Sequence, residues 1–540
     1  MPEPRPFDAD ILVIGAGPVG MALALELGLR GNRVCLVERD SSRGPQPRAK
    51  TLNMRSLAHM RRWGIADAVR AASPLSADIP TDIVFQTRLF GHHIATLPNI
   101  YFRGNTHAAD PRFNEPSEWI PQYEVERVMK ARLDGISSVS SYYGTELVSL
   151  EQDEAGVTVH LRSLDGRETT LRTRYLVGAD GARSKVRDEI GAQMTGRYAY
   201  SANFNMMLEI PELKANPPAV RGIMYWIIND EAPGVIGPIG DLWYLGKRLP
   251  EGVTGMSTEE IRDFVTATVG REVHFEVKSV DPWYSHELIA DKYREGRIFL
   301  AGDACHLHPP FGGYGMNMGI ADAVDLGWKL DAVLHGWADE HLLDSYEWER
   351  RRVHQWTINE SIANYAVLSD NLMQFGMEDD SPEGAAIRAK LAPKVIEQKR
   401  AEFHTIGMVL GYHYDGSPVV SGSGDLPPPS AEVYDPVAVP GALAPHLWLE
   451  PDLSLYDRFG PGFTLIFRPG SDTTEVFVAA AMDMGVPLTL LDLPEGHADR
   501  YPHAFTLVRP DQHIVWTGNR ADGVTAHAAL AIATSRRVPI

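Results

Sequence analysis

Thiols are nearly absent: Cys35 and Cys305 are the only cysteines in 540 residues. Each lies in a segment that reads as a buried strand or strand end, which argues against both a disulfide framework and a thiolate metal site. No metal site is expected elsewhere. Long apolar runs are missing too, none approaching the roughly 18 residues of a membrane-spanning helix. Positive charge is scarce, with 51 lysines and arginines against 71 aspartates and glutamates and a formal charge of −20. That balance argues against nucleic acid or an anionic membrane as the main partner, while leaving room for a local basic pocket. There is no internal repeat. The first glycine motif starts so soon after Met1 that no removable signal peptide is expected, and a cytoplasmic protein fits.

What is present is ordinary in composition, 44% hydrophobic and 23% charged, but too long for one core, so two or three domains are expected. Asp10–Gly15 is a short apolar run ending in glycine, as a buried parallel strand would be. Pro18–Arg30 carries apolar residues at helical spacing and stops at Gly31-Asn32. Arg33–Glu38 is the next strand, completing a βαβ unit of about 30 residues. Tyr175–Asp180 and Arg297–Gly302 are further strand candidates, the second followed by a helix from Ala321 to Leu334. Between about 186 and 285, runs such as Phe204–Ile210 and Gly222–Ile228 point to a mainly antiparallel sheet inserted into the first domain. His335-Gly336 reads as a helix end, and Ser345–Tyr365 as a long helix closing that domain. Gly416–Ser430, rich in Gly, Pro and Ser, reads as a linker, and Phe463–Phe467 and Ala504–Val508 as strands of a small α/β domain.

Two segments carry chemistry. Gly15, Gly17 and Gly20 match G-x-G-x-x-G between a strand and a helix. Such glycines permit the tight turn, approach of backbone to a pyrophosphate, and close helix–strand packing. The helix N-terminal amides then face the phosphates. Glu38 stands 18 residues beyond Gly20, at the end of the second strand, where a carboxylate can accept both ribose hydroxyls. The pattern leaves NAD and FAD equally open. Ile298–Asn317 runs from an apolar strand through Asp303 and Pro309-Pro310 to Gly312, Gly313 and Gly315, then a helix. Three glycines in four residues let backbone approach a ligand, and the prolines stiffen that approach.

Taken in order, Gly15–Gly20, then Gly178-Ala-Asp180-Gly181-Ala-Arg183-Ser184-Lys-Val-Arg187, then Gly302-Asp303 through Asn317 resemble the three signatures of class A FAD-dependent aromatic hydroxylases. The resemblance covers about residues 8–380. The tail, with Pro445-His-Leu-Trp448 and Ser454-Leu-Tyr-Asp457, is similar to the thioredoxin-like domain of the phenol hydroxylase branch, but without a cysteine for thiol chemistry. The implied fold is α/β: a Rossmann-type FAD-binding domain (1–80, 111–185 and 286–385) with an inserted antiparallel-sheet substrate domain (81–110 and 186–285). A connecting region and linker (386–430) and the thioredoxin-like domain (431–540) follow.

The family implies FAD as cofactor, with NADPH or NADH as a transient co-substrate. Only one strand–turn–helix glycine motif is present, which fits a nicotinamide that visits rather than resides. The matching positions assign Asp303 to the ribityl chain and Asp180 with Gly181 to FAD and nicotinamide. Gln122 and Arg48 (in Pro47-Arg48-Ala49) are implied FAD and pyrophosphate contacts. Pro18, Val19 and Arg39 flank the dinucleotide motif. Gly302, Pro309, Pro310, Gly313, Gly315, Met316 and Asn317 are assigned to the flavin loop. Arg183 and Arg187 divide between nicotinamide phosphate contacts and helix solvation.

In that family hydride reduces FAD, O2 adds at the flavin C4a, and the distal oxygen attacks an electron-rich ring carbon, chemistry that belongs mostly to the cofactor. The protein must exclude water, orient the ring and favour the phenolate. Candidate groups near the substrate hydroxyl are His308, Asn53, Arg55, Tyr225 and Tyr123, with Pro309 beside the flavin. Tyr225 and Trp226 alternate on a strand, so only one can face the pocket. Cys305 and His306 read as packing residues, and Tyr314 departs from the glutamine usual in the family's loop. The expected activity is hydroxylation of a phenolic or polycyclic aromatic compound, ortho to an existing hydroxyl, by a possible homodimer. The alternatives are a same-fold oxidase or epoxidase on a non-aromatic or polyketide substrate, and a non-catalytic FAD protein that sequesters a ligand. Flavin-dependent halogenation is disfavoured, since no Trp-x-Trp-x-x-Pro segment occurs.

Overall fold

The structure, a computed structural model, describes residues 7–537 except 43, 45, 47, 77, 104–109, 368–371, 423, 472–473, 495 and 498. Pro47 of the Pro-Arg-Ala segment therefore lies outside the described residues. The βαβ unit forms as Ala9–Ile14, Pro18–Leu29 and Val34–Glu38. Its strands are parallel and almost wholly buried, because helices and a further sheet layer cover both faces. Glu168–Gly178 and Ile298–Leu300 extend the same sheet on one side, and Val139–Tyr143 on the other, all in parallel register. Three segments far apart in sequence thus end at one sheet edge. Strand C-termini in such sheets open onto a crevice where ligands bind.

The long helix expected from Ala321 begins earlier, at Gly315, and runs to Leu334. The glycine loop passes straight into it, so Gly315 and Asn317, both poor in helix propensity, fall in its first turn. It packs on the Pro18–Leu29 helix, where Gly319 and Gly327 leave room for the side chains of Val19 and Glu26. Glu26 is buried and holds three partners: Arg30, Arg62 (Nη2 to Oε2, 2.6 Å) and the indole N–H of Trp63. The closing helix is Asp344–Tyr365.

The second sheet has eight strands. Its order is His306–Leu307, Glu276–Ala290, Met194–Glu209, Leu242–Arg248, Gly234–Ile239, Met224–Ile227, Ile83–Gln86, His93–Leu97. All neighbours are antiparallel except Met224–Ile227 beside Ile83–Gln86. His306–Leu307 belongs to this sheet although Ile298–Leu300 belongs to the first, so the chain from Ala301 to Cys305 steps between the two layers. A helix from Pro382 to Phe403, which crosses the expected boundary at 385/386 into the connecting region, lies against the sheet's far edge.

The C-terminal region holds a four-stranded sheet, Leu488–Asp492, Phe463–Phe467, Phe505–Val508 and Ile514–Gly518, with helices Thr474–Met484 and Gly523–Ala533. One pair is parallel and two are antiparallel, the small α/β arrangement expected there. The Gly416–Ser430 stretch is packed at its start: Val419 is fully buried, and the Ser417 hydroxyl donates to Glu349 at 2.6 Å. Cys35 and Cys305 are buried and free, far too enclosed for exchange. Among the described residues no helix is long and apolar enough to cross a membrane.

Candidate active site

One cavity of about 1450 Å³ joins the C-terminal edge of the parallel sheet to the inner face of the antiparallel one. At its nucleotide end Gly15, Gly17, Pro18 and Val19 form the wall. Gly15 takes φ +102°, a conformation that a side chain rarely adopts. No side chain caps the Pro18–Leu29 helix and no acidic residue sits in its first turn, so its amides are free for an anion. Gly20 does not reach the cavity: a Cβ there would fall 1.9 Å from the Gly15 carbonyl oxygen, and its role is close packing of helix on turn. Glu38 and Arg39 line the cavity at the end of the second strand. The Glu38 carboxylate accepts from the Ala16 N–H at 2.8 Å, so it also braces the glycine turn.

Farther along, Arg48, Gln122, Asp180, Gly181 and Asp303 share the wall. Gln122 opens the Gln122–Leu133 helix; its N–H donates to the Ala49 carbonyl at 2.9 Å and its side-chain amide to Glu126 at 2.8 Å. The Asp180 carboxylate is already engaged at the start of the next helix. It accepts from the Ser184 hydroxyl and from the amides of Lys185 (2.8 Å) and Val186 (3.1 Å), while burial pushes its pKa up. Asp180 thus aims the Asp-Gly turn rather than offering two free oxygens. The Asp303 side chain is open to the cavity. The surrounding protein raises its pKa, against the opposing pull of His306 and Arg48. Arg187 donates to the carbonyls of Ala304 (3.2 Å) and Ala182 (3.1 Å), which ties the Asp-Gly segment to the Asp303 segment. Arg183 faces the cavity.

Beneath Asp303 lies a buried network that the sequence did not announce. Asp322 accepts from the Gly302 N–H (3.1 Å), Arg350 Nε (2.7 Å) and His354 Nε2 (2.8 Å), and lies 3.0 Å from His306 Nε2. Gly302 is therefore a support, not a wall residue, and His306, read from sequence as packing, both joins this network and borders the cavity. Asn317 is also a tie. Its Oδ1 accepts from the Asn53 N–H (2.9 Å) and the Ser56 hydroxyl (2.8 Å), and its amide donates to the carbonyls of Thr51 and Gly313.

Pro310, Gly313, Gly315 and Met316 border the cavity, with Gly312 at φ +96° and Gly313 at φ +66°. Pro309 is buried behind the loop. Tyr314 is buried with its ring 2.3 Å from where a Gly312 Cβ would be, so the tyrosine in place of glutamine needs glycine there. His308 does line the cavity. Its Nδ1–H donates to the Pro309 carbonyl at 2.9 Å, and Nε2 has no partner among the described residues. Burial, then His306, pushes its pKa down to about 4, so the ring is neutral at physiological pH.

Three other candidates do not face the cavity. Tyr225 points into the opposite core, where its hydroxyl accepts from the Gly222 N–H, and its strand neighbour Trp226 faces inward. Asn53 caps the Met54–Arg62 helix, accepting from the Ser56 N–H at 2.9 Å. Arg55, on that helix, reaches Gln512 and the Asp511 carbonyl of the C-terminal region. Tyr123 does line the cavity.

The substrate-side wall is aromatic: Trp119, Trp226, Tyr244, Trp283 and Phe311. The Lys399 ammonium lies 3.5 Å from the Trp226 ring centre and pairs with Glu402 at 2.9 Å. Lys50 lies over Tyr244 at 4.6 Å. None of these charged residues was marked by a motif. Nor did their surroundings single them out, since Lys399 and Glu402 stand among Glu397, Gln398 and Arg400, and Lys50 follows Arg48.

Residues 8–361 match the family model for the FAD binding domain, and residues 437–538 match that for the aromatic-ring hydroxylase C-terminal region. The chain is 32% identical to aklavinone 12-hydroxylase of Streptomyces peucetius over 481 residues, 86% of this chain and 92% of that protein. It is 30% identical to 4-methyl-5-nitrocatechol 5-monooxygenase of a Burkholderia species, over 95% and 94% of the two chains. Among solved structures it is similar to the rebeccamycin biosynthetic enzyme RebC with reduced flavin, with a TM-score of 0.89 and 33% identity, covering 97% and 98%.

Proposed function

The chain belongs to the FAD-dependent aromatic-ring hydroxylases, and on that premise we propose that it transfers one oxygen atom from O2 to a phenol of fused-ring size, with NAD(P)H as a visiting reductant. The observation that carries this reading is one continuous cavity of about 1450 Å³. A drug-sized ligand occupies a site of about 300–1,000 Å³, so the cavity has room for a dinucleotide and a flat second ligand together. Its two ends differ accordingly, one built of glycine turns and a bare helix N-terminus, the other of tryptophan, tyrosine and phenylalanine. The residues present suit FAD: uncapped helix amides for the pyrophosphate, Glu38 at a strand end for a ribose, and Asp303 open to the cavity for a hydroxylated chain.

When bound, FAD would supply two-electron reduction by the nicotinamide and activation of O2. The protein's own part is positioning and exclusion of water. Pro310 and Gly312–Gly315 set the loop against which the reactive ring would lie, and Asp322 fixes the start of that loop through the Gly302 N–H. The aromatic wall holds a flat substrate opposite and keeps water out. His308, neutral and with Nε2 unpartnered, is a hydrogen-bond acceptor at the loop edge. Residues 81–110 and 186–285, which supply most strands of the inserted sheet, are the proposed extent of the substrate-binding part.

Purified protein is expected to be yellow, and an added phenol to accelerate NAD(P)H oxidation with O2 uptake and a hydroxylated product. A protein that takes up no FAD, even when supplied with it, overturns the reading. A yellow protein that yields only peroxide with every phenol tested moves it to the oxidase alternative.

A further inference from the structure

We propose that the Lys50 ammonium is the counter-ion of the substrate, receiving the ionised hydroxyl of the aromatic ring beside the glycine loop. This rests on the reading of the cavity as a phenol hydroxylation site.

The backbone holds Lys50 firmly. Its carbonyl accepts from the Ile120 N–H at 2.9 Å, and the next two residues, Thr51 and Leu52, pair with Trp119 and Glu118 respectively. Thr51 lies against the loop: a Cβ on Gly313 would come within 3.2 Å of its side chain. Lys50 therefore stands one residue from the flavin loop. From there its side chain reaches across to the antiparallel sheet, with Nζ 4.6 Å from the centre of the Tyr244 ring. Tyr244 is buried, its hydroxyl has no partner among the described residues, and Trp119 lies beside it at 6.2 Å. The cation thus sits over a ring face of the aromatic wall, while the Tyr244 hydroxyl is turned into the sheet toward Gly237.

Among the described residues Lys50 has no carboxylate or hydrogen-bond partner. A buried ammonium is costly unless something compensates its charge, and an aromatic face compensates only in part. The other charged groups on the cavity wall answer to different partners. Glu402 pairs with Lys399, Asp303 interacts with Arg48, Lys247, Arg248 and Asp281 lie on strands of the sheet, and Glu251 lies in the turn that follows. Burial alone moves the Lys50 pKa down to about 8. An anion with a flat aromatic body would supply the missing charge and stack on the same wall. A phenolate is such an anion, and it is also the ring form most reactive toward an electrophilic oxygen.

The test uses the FAD-loaded protein and 4-nitrophenol, whose ionised form absorbs in the visible. Wild type is expected to bind the phenolate, with the apparent pKa of the bound probe below that of the free one. Lys50→Met should raise that bound pKa by about one to two units, and Lys50→Arg should restore most of the difference. FAD content should be unchanged in both variants and thermal stability should not fall in either, since Lys50 makes no ion pair and its uncompensated charge is costly. Binding of the neutral phenol only, no binding, or equal bound pKa values in wild type and Lys50→Met overturns the inference while leaving hydroxylation standing. Loss of FAD from Lys50→Met also overturns it, by assigning the lysine to the cofactor. Tighter, Lys50-dependent binding of benzoate would assign it to a carboxylate instead. Failure of every phenol to be hydroxylated by wild type would instead remove the underlying reading.

Discussion

Asp303 and Asp322 lie 19 residues apart on either side of the glycine loop, yet do opposite work. Asp303 opens onto the cavity, whereas Asp322 is buried among Arg350, His354 and His306. An Asp303→Ala variant is therefore expected to fold normally but lose FAD on desalting, with affinity at least about tenfold weaker for the loss of one charge-assisted contact. Flavin absorbance after gel filtration, with a circular dichroism melt, reads this. Full retention of FAD and of hydroxylation would show that Asp303 does not hold the cofactor. At this scale the sequence was legible where a residue type is forced by backbone geometry. Gly15, at φ +102°, is such a case. It was illegible where a polar residue has a structural use. Asn53 and Arg55 looked like substrate contacts, but one caps a helix and the other reaches the C-terminal region. Nothing in a sequence separates a polar side chain turned to a cavity from one turned to a partner 456 positions away.

Among the elements, the helix Pro18–Leu29 has the least freedom, because its N-terminus serves the cavity and its C-terminal half is locked by Glu26. That carboxylate is fully buried, which by itself would raise its pKa, but Arg62 and Arg30 outweigh the effect and bring it down to about 2. Its folded value is thus below its ordinary 4.5, so its contribution is complete above about pH 4.5 and is lost as pH falls toward 2. The difference is worth about 3 kcal/mol. Chemical unfolding of wild type and Glu26→Gln is expected to differ by that order at pH 7, with the gap closing between pH 4.5 and 2. A gap that persists at pH 2 would contradict the ion-pair account. The βαβ unit was readable because apolar periodicity and glycine punctuation agree. The start of the Gly315–Leu334 helix was not, since its first turn is made of loop-forming residues stabilised by tertiary ties such as Asn317. The Pro382–Phe403 helix was missed for a related reason: Pro393 interrupts its pattern, yet the helix continues through it.

For the molecule as a whole, the C-terminal region is joined to the rest by buried charge. Arg509 bonds Glu349 (2.6 Å) and Asp325 (3.2 Å) on two helices of the first domain, and Asp511 on its own segment. Lys329 shares the same two carboxylates of the first domain. Removing Arg509 leaves buried carboxylates short of charge, so Arg509→Met is expected to lower stability by about 3–5 kcal/mol. A calorimetric scan should show the two regions unfolding apart in the variant and together in wild type; an unchanged scan would contradict the tie. This knot was invisible in sequence, where Asp325, Lys329 and Glu349 read as charged positions on helices and Arg509 and Asp511 as part of a turn between strands. The three ordered motifs, by contrast, gave the fold and the oxidant early, because FAD and its loop constrain residue type over long distances. The most direct measurement supplies FAD-loaded protein with NAD(P)H, a phenol and 18O2, and follows the product by mass spectrometry. The account predicts one 18O atom from dioxygen in each hydroxylated ring. Oxygen derived from water, or peroxide as the only product across the phenols tested, would contradict it.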